Sequence, residues 1–246
     1  MTTTSKIEWT EQTWNPIVGC TKISAGCKHC YAETMAKRLQ AMGTPGYENG
    51  FALRLLPERL ADPGKRQKPT VYFVNSMSDL FHEKVPEVYI DQVFAVIAAT
   101  PQHSYQILTK RAARLARYFR NRTVPPNVWL GVSVENRRHG VPRIDYLRTV
   151  AARIRFLSVE PLLEDVGELD LRDVHWVIVG GESGPKARPM KPEWADAVRR
   201  QCAEQEVAFF FKQWGGWGAD GKRRAKSKNG RLLNGRTWDE MPAHAF

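Results

Sequence analysis

At 246 residues the chain can bury a full core, either as one large α/β domain or as two smaller ones. No apolar run approaches the roughly 18–20 residues that span a bilayer, and Met1–Trp9 lacks the apolar core of a secretory signal, so a cytoplasmic protein with no membrane partner is expected. The formal net charge of +11 favours phosphate-bearing partners, nucleic acid foremost. The excess lies in 110–122, 137–155 and 222–236, where solvated helix faces are the plainer account of the first two runs, and no helix-turn-helix, finger or RNA-binding signature accompanies it.

Near the N-terminus, three of the four cysteines fall within eleven positions, as Cys20, Cys27 and Cys30 in a C-x6-C-x2-C spacing. Thiolates are soft ligands, and three on one short loop suit an iron–sulfur cluster or zinc. Gly19 and Gly26 relax the backbone just before Cys20 and Cys27. Three protein ligands leave a coordination position open, whereas a closed structural zinc site needs four; His29 would complete a Cys3His set. The fourth cysteine, Cys202, lies in a predicted helix, where a lone Cys is a small buried hydrophobe. Disulfides suit small secreted domains and are the duller alternative.

From about His29 to Met42, Ala32, Met35, Ala36 and Leu39 recur at helical spacing and Gly43 ends the helix. The cysteines therefore sit at a helix start, where backbone N–H groups favour thiolate sulfur. The span 43–68 is rich in Gly, Pro and charge and reads as a long excursion with a short helical piece near Leu53–Leu60. Thr70–Val74 is a buried strand that ends in the polar Asn75–Phe81. A helix over about Glu87–Ala99 follows, with Val88, Ile90, Val93, Phe94, Ile97 and Ala98 on its apolar face.

The same unit repeats. Strands are predicted at Tyr105–Thr109, Asn127–Val134, Arg153–Val159, His175–Val179 and Val207–Phe211, and helices at Lys110–Phe119, about Val141–Val150, and Pro192–Glu204. With a short strand before Cys20 this gives about seven strand–helix units, one short of a full (β/α)8 barrel. The expected fold class is α/β, an incomplete (β/α) barrel of six to seven parallel strands, with a doubly wound open sheet as the alternative. Residues 1–218 form that barrel and 219–246 a basic C-terminal extension.

Active sites of parallel α/β folds form at the C-terminal ends of the strands. Here those ends are polar: Ser76, Ser78 and Asp79; Thr109, Lys110 and Arg111; Ser133, Glu135 and Asn136; Ser158 and Glu160; Gly180, Gly181, Glu182 and Ser183; Lys212 and Gln213. Any one could be a cap or a loop solubiliser, but the set recurs after nearly every strand. The two sharpest are Glu160-Pro161 and Gly180-Gly181-Glu182, where a carboxylate follows an apolar strand and the glycines permit close approach by a ligand. Trp9, Trp14 and Trp214-Gly215-Gly216-Trp217-Gly218 either form a stacking lid or seal the barrel's bottom or edge.

A three-cysteine loop after the first strand of an incomplete barrel resembles the radical SAM superfamily. More narrowly, Trp14-Asn15-Pro16, Gly19–Ser24, Gly26–Glu33, Phe73–Phe81, Leu130–Asn136, Ser158–Leu162, Gly180–Gly184 and Phe211–Gly215 resemble a three-cysteine-motif family encoded by phages and bacteria. The resemblance implies that Cys20, Cys27 and Cys30 hold a 4Fe-4S cluster whose fourth iron takes S-adenosyl-L-methionine. It also implies an external electron donor and reductive cleavage to a 5′-deoxyadenosyl radical that acts on a substrate of unstated class; the charge adds nucleic-acid modification or repair as the candidate reaction, with or without a partner protein. The superfamily's Gly-Gly-Glu follows its second strand, whereas this chain has Ser76, Ser78 and Asp79 there; by position these three face the methionine amino group. Ser133 and Glu135 then face ribose or carboxylate, Tyr31 the adenine, and Glu160, Glu182 and Lys212 the substrate or cofactor. Two other classes stay open: a zinc- or cluster-stabilised nucleic-acid-binding protein, and a hydrolase using Glu160 and Glu182 as a carboxylate pair.

Overall fold

The computed structural model describes residues 3–5 and 7–242; Met1, Thr2, Lys6 and the last four residues of the predicted C-terminal extension lie outside the described residues. In chain order the strands are β1 (Thr3–Thr4), β2 (Gln12–Trp14), β3 (Ile17–Val18), β4 (Arg54–Leu55), β5 (Val71–Val74), β6 (Ser104–Thr109), β7 (Val128–Ser133), β8 (Ile154–Val159), β9 (Trp176–Gly180) and β10 (Ala208–Gln213). The helices are α1 (Tyr31–Ala41), α2 (Glu87–Ala99), α3 (Ala112–Phe119), α4 (Arg143–Arg148), α5 (Pro192–Glu204) and α6 (Lys226–Asn229).

The main sheet has the order β1-β2-β5-β6-β7-β8-β9-β10, and β3 and β4 form a separate antiparallel pair. From β2 to β10 the seven strands are parallel and follow one another in chain order. A doubly wound sheet needs a point where strand order reverses. None occurs here, so the incomplete (β/α) barrel is the fold and the doubly wound alternative is not. No helix among the described residues is long and apolar enough to cross a membrane.

Two compact units make up the chain. One holds the described residues up to Ile23, with Cys30–Gly131 and Thr149–Arg153. Its core stacks Tyr72 on Tyr105, ring centroids 5.5 Å apart, with Trp14 edge-on to Tyr105 at 5.7 Å. In α2 the buried stripe is Tyr89, Ile90, Val93, Phe94 and Ile97, while Val88 is 65% exposed. Val88 lies two positions ahead of the 90-93-94-97 stripe, which turns it off the core face.

The other unit comprises Ser24–His29, Val132–Arg148 and the chain from Ile154 onward. Every residue of β9 is buried, and Trp176 packs against Phe156 and Phe210. Trp238 and Glu240 are tied in by hydrogen bonds from Trp176 Nε1 to Glu240 O and from Phe211 N to Trp238 O. β10 runs on through Lys212 and Gln213, two residues past the expected strand, with a register shift between Phe211 and Gln213; such bulges re-aim a side chain. α4 is shorter than expected, because the turn before it closes from Gly140 N and Val141 N onto Asn136 O.

Residues 53–60 depart from the helical expectation. Arg54 and Leu55 pair with Val18 and Ile17, and only Pro57–Arg59 forms a 3-10 turn. A strand whose partner is far away in sequence leaves no local periodicity to read. The tryptophans settle on the structural side: Trp9, Trp14 and Trp214 are buried, and Trp14, Trp214 and Trp217 donate Nε1–H to the carbonyls of Arg59, Leu232 and Ala187.

Gly180-Gly181 also has an internal explanation. Gly181 N donates to Gln213 O at 2.9 Å, a Cβ on Gly181 would lie 2.0 Å from the Trp214 carbonyl oxygen, and one on Gly180 would meet the Glu160 carboxylate at 3.2 Å. The close approach is made by the chain's own backbone. Gly181→Ala is therefore expected to lower stability by about 1–3 kcal/mol, read as a drop in the thermal midpoint; an unchanged midpoint would show that the strand ends yield freely.

Candidate metal centre

The cysteine loop begins at Gly19, after β2 and the short β3. Gly19 has φ +77°, and a Cβ there would lie 2.1 Å from Ala52 O, so the chain needs glycine for the pass beside the excursion. Cys20 N then donates to Phe51 O at 3.3 Å. Ser78, predicted for the methionine amino group, donates its hydroxyl to Gly19 O at 2.6 Å, and Ser76 Oγ lies 3.2 Å from Asn15 Oδ1. Both serines thus brace the start of the loop.

The strongest contact to this segment comes from Arg111, whose side chain is 3% exposed. Its Nε donates to both oxygens of Glu83 at 3.0 and 2.9 Å. Nη1 donates to Asp79 Oδ2 at 3.2 Å and to Cys20 Sγ at 3.5 Å. Nη2 donates to Thr21 O and Oγ1, each at 3.1 Å. All five N–H groups of the guanidinium are engaged. Burial opposes its charge, but the Asp79 carboxylate, then the Cys20 sulfur and Glu83, outweigh that and hold its pKa above the ordinary range.

Asp79 is saturated: besides Arg111 it accepts from Phe81 N, Thr109 Oγ1 and Lys110 N. On the other side of Thr21, His82 Nδ1 accepts from Lys84 N, which places the ring proton on Nε2, 2.9 Å from Thr21 Oγ1. Cys30 stands at the N-cap of α1 and packs partly against the cluster of Val18, Ala32, Ala36, Tyr47, Leu56 and Met77. Tyr31, next along, is 55% exposed, and its hydroxyl donates to Ser76 O.

In the other unit, Ser24–His29 carries Cys27, whose Sγ lies 3.7 Å from Ser24 Oγ. Arg188 holds this segment. It is gripped by Glu182 through Nε at 2.8 Å, Nη2 at 2.5 Å and its own backbone N at 2.9 Å, and Nη2 reaches Ala25 O at 3.0 Å. Gly26 lies flat on Glu135, where a Cβ would come within 3.1–3.2 Å of that side chain. Glu135 is fully buried and bound by Arg143 Nη1 at 2.5 Å, and the same nitrogen donates to Ser133 O at 2.7 Å. Glu160 takes Lys212 Nζ on both oxygens, at 2.9 and 3.0 Å, while Gln213 Nε2 donates to Ser183 Oγ at 3.0 Å.

Each of the two carboxylates named for a hydrolytic pair holds a cation: Glu160 binds Lys212 and Glu182 binds Arg188. In the sequence Arg111 is one of several polar strand-end residues, and Arg143 and Arg188 carry no signal of their own. In a chain with 37 Lys and Arg, nothing local marks these three as the ones that hold buried carboxylates.

None of the four cysteines is disulfide-bonded. Cys202 is fully buried in α5 as expected, and burial pushes its thiol up to about 12. Cys20, Cys27 and Cys30 are half-buried. Among the described residues, no three His, Cys, Asp or Glu side chains are grouped to hold a metal ion; the Cys20 and Cys27 sulfurs turn instead to neighbours within the chain. Three thiols are not drawn together by one another, only by a shared cation. The donor set itself, three soft sulfurs on one short glycine-bearing segment, fits a cluster with an open position.

An incomplete (β/α) barrel whose first parallel strand, β2, is followed through the short β3 by a three-cysteine loop held by carboxylate-backed arginines is thus the class the fold and site define. The chain belongs to the family described as "Protein of unknown function (DUF5131)", whose profile matches residues 4–242. No curated protein matches it. Among solved structures it is similar to spore photoproduct lyase with bound AdoMet and dinucleoside spore photoproduct, at 14% identity and a TM-score of 0.47, over 83% of this chain. Two further structures of that lyase match at 15% and 16% identity, each with a TM-score of 0.44, over 83% and 74% of this chain. The chain spans 64% of the first lyase chain's length, 64% of the second's and 58% of the third's.

Two outcomes are expected. Glu135→Gln leaves the buried Arg143 charge unmatched and should cost about 3–5 kcal/mol in denaturant unfolding, whereas replacing both partners by apolar residues of similar volume should cost far less. Burial, and after it Arg111, lowers the pKa of His82 below the ordinary 6.5. Below pH 6.5 the unfolded chain takes a proton that the folded chain refuses, so stability should fall as pH drops from 7 to 5. His82→Asn should flatten that slope in melts across the range.

Proposed function

We propose that the chain is a radical S-adenosyl-L-methionine enzyme in which Cys20, Cys27 and Cys30 hold three irons of a 4Fe-4S cluster. What carries the reading is the division of the thiols: three are half-buried on one loop after the first parallel strand, and the fourth is sealed in the core. Three protein ligands suit a site that takes an exchangeable ligand rather than a closed structural zinc. When bound, a reduced cluster would supply the electron for reductive cleavage of S-adenosyl-L-methionine, chemistry that would provide a 5′-deoxyadenosyl radical for hydrogen abstraction from substrate.

The chain's own residues position these groups. Ser76 and Ser78 fix the entry to the loop and present hydroxyls for the methionine amino group, and Ser133 closes β7 near the ribose or carboxylate. Tyr31 offers an exposed ring to adenine, with its hydroxyl tethered to Ser76 O. Glu160 and Lys212 form a half-buried ion pair able to exchange partners with a zwitterionic ligand. Asp79, Glu135 and Glu182 act from behind, through the arginines they hold.

A nucleic-acid substrate is supported by the net charge of +11 and by the exposed Lys222, Arg223, Lys226 and Lys228. The central basic runs contribute less, since Arg111 and Arg143 are buried and Arg122, Arg137 and Arg148 pair with acids.

Anaerobic reconstitution with iron and sulfide, reduction, and addition of S-adenosyl-L-methionine should yield 5′-deoxyadenosine. Cys20→Ala, Cys27→Ala and Cys30→Ala should each abolish it and lower bound iron, while Cys202→Ala should leave the iron content unchanged. Stoichiometric zinc with no iron uptake would defeat the reading in favour of a structural metal, and metal-independent hydrolysis would defeat it in favour of a hydrolase.

A further inference from the structure

One buried cation in the first unit does more than its surroundings require. A guanidinium placed only to neutralise Asp79 would not also need to reach the cysteine segment, yet Arg111 sends an Nη1–H to Cys20 Sγ and both Nη2–H groups to Thr21. Its orientation is fixed from behind. Glu83 takes Nε on both carboxylate oxygens and Asp79 takes the remaining Nη1–H. Thr21 is itself held by His82.

The fork of a guanidinium is rigid and planar, so anchoring one edge aims the other. The aimed edge here carries a hydrogen bond to a sulfur. Hydrogen bonds to ligand sulfurs are among the factors that set the reduction potential of an iron–sulfur centre, because they draw off the negative charge that an added electron brings.

We propose that Arg111 is a positioning residue for Cys20 that raises the reduction potential of the metal centre that cysteine ligates, with Asp79 and Glu83 as the fixed frame that aims it. This rests on the cluster reading above and deepens it: it assigns to one residue the ease with which the centre takes its electron. Arg188 is the natural comparator. It is also backed by a carboxylate and also binds the loop, but it meets a backbone carbonyl, Ala25 O, and no sulfur.

The test is an EPR-monitored redox titration of the iron- and sulfide-reconstituted chain, with iron content measured alongside. Arg111→Lys keeps the charge beside Asp79 but cannot supply the five-donor fork. At the wild-type midpoint it is expected to show a reduced-to-oxidised ratio lowered about tenfold, equivalent to about 59 mV for a one-electron couple. Arg188→Lys is expected to leave the midpoint in place.

An unmoved midpoint in Arg111→Lys with iron retained overturns the proposal. Equal shifts in the two variants also overturn it, because they report a general loosening of the loop. If Arg111→Lys does not fold or hold iron, Glu83→Gln serves instead. It leaves the Asp79 pair intact and frees the aimed edge, so a smaller shift in the same direction supports the proposal and none overturns it. A wild-type chain that takes up no cluster removes the cluster reading and this inference together, whereas a cluster with an unmoved variant removes this inference alone.

Discussion

An arginine, buried at Arg111 and half-buried at Arg188, that faces a carboxylate on one side and a loop on the other is the interaction on which this structure turns. Each unit supplies one to the part of the cysteine segment it contains: Arg111 between Asp79 with Glu83 and Cys20-Thr21, and Arg188 between Glu182 and Ala25. A loop of this length, rich in glycine and small residues, has little apolar surface to bury and cannot hold a conformation by hydrophobic packing alone. Directional, charge-assisted bonds to its carbonyls replace that packing. The acids matter as much as the bases, because an arginine buried without them would carry several kcal/mol of desolvation penalty.

This arrangement gives the polar strand ends a different meaning from the one their sequence suggests. A ring of acids at the C-terminal ends of parallel strands invites a reading as ligand groups. Asp79, Glu135 and Glu182 follow β5, β7 and β9 as expected, but each is buried and faces an arginine of its own unit. Glu160 and Lys212 differ in being partly open to solvent, with Lys212 turned by the bulge at the end of β10. Each unit thus commits buried carboxylates to its own arginines, and the second also carries a more accessible ion pair.

Much of the fold was legible because the signals are local. Short apolar runs rich in β-branched and aromatic residues, such as Trp176–Gly180, read as buried strands, the 90-93-94-97 stripe reads as a helix face, and their alternation implies parallel strands with crossovers. Arg54–Leu55 was not legible, since a two-residue strand is defined by its partner, Ile17–Val18, and not by its own composition. The three thiols stood out because their residue type is rare and crowded. The arginines did not, because their type is common and their contacts are remote: Arg111 lies 91 positions from Cys20, and Arg188 lies 163 from Ala25. Nothing in a chain of 37 cations distinguishes those that turn inward until the sheet brings them to the loop.

Cys202, shut inside α5 with its thiol pushed up to about 12, has a practical corollary. A reagent that alkylates thiolates at neutral pH meets three sulfurs in the folded chain and a fourth only after denaturation. The protein therefore carries an internal standard: the sealed sulfur reports whether the barrel is intact, while the three half-buried ones report whether something has claimed the loop.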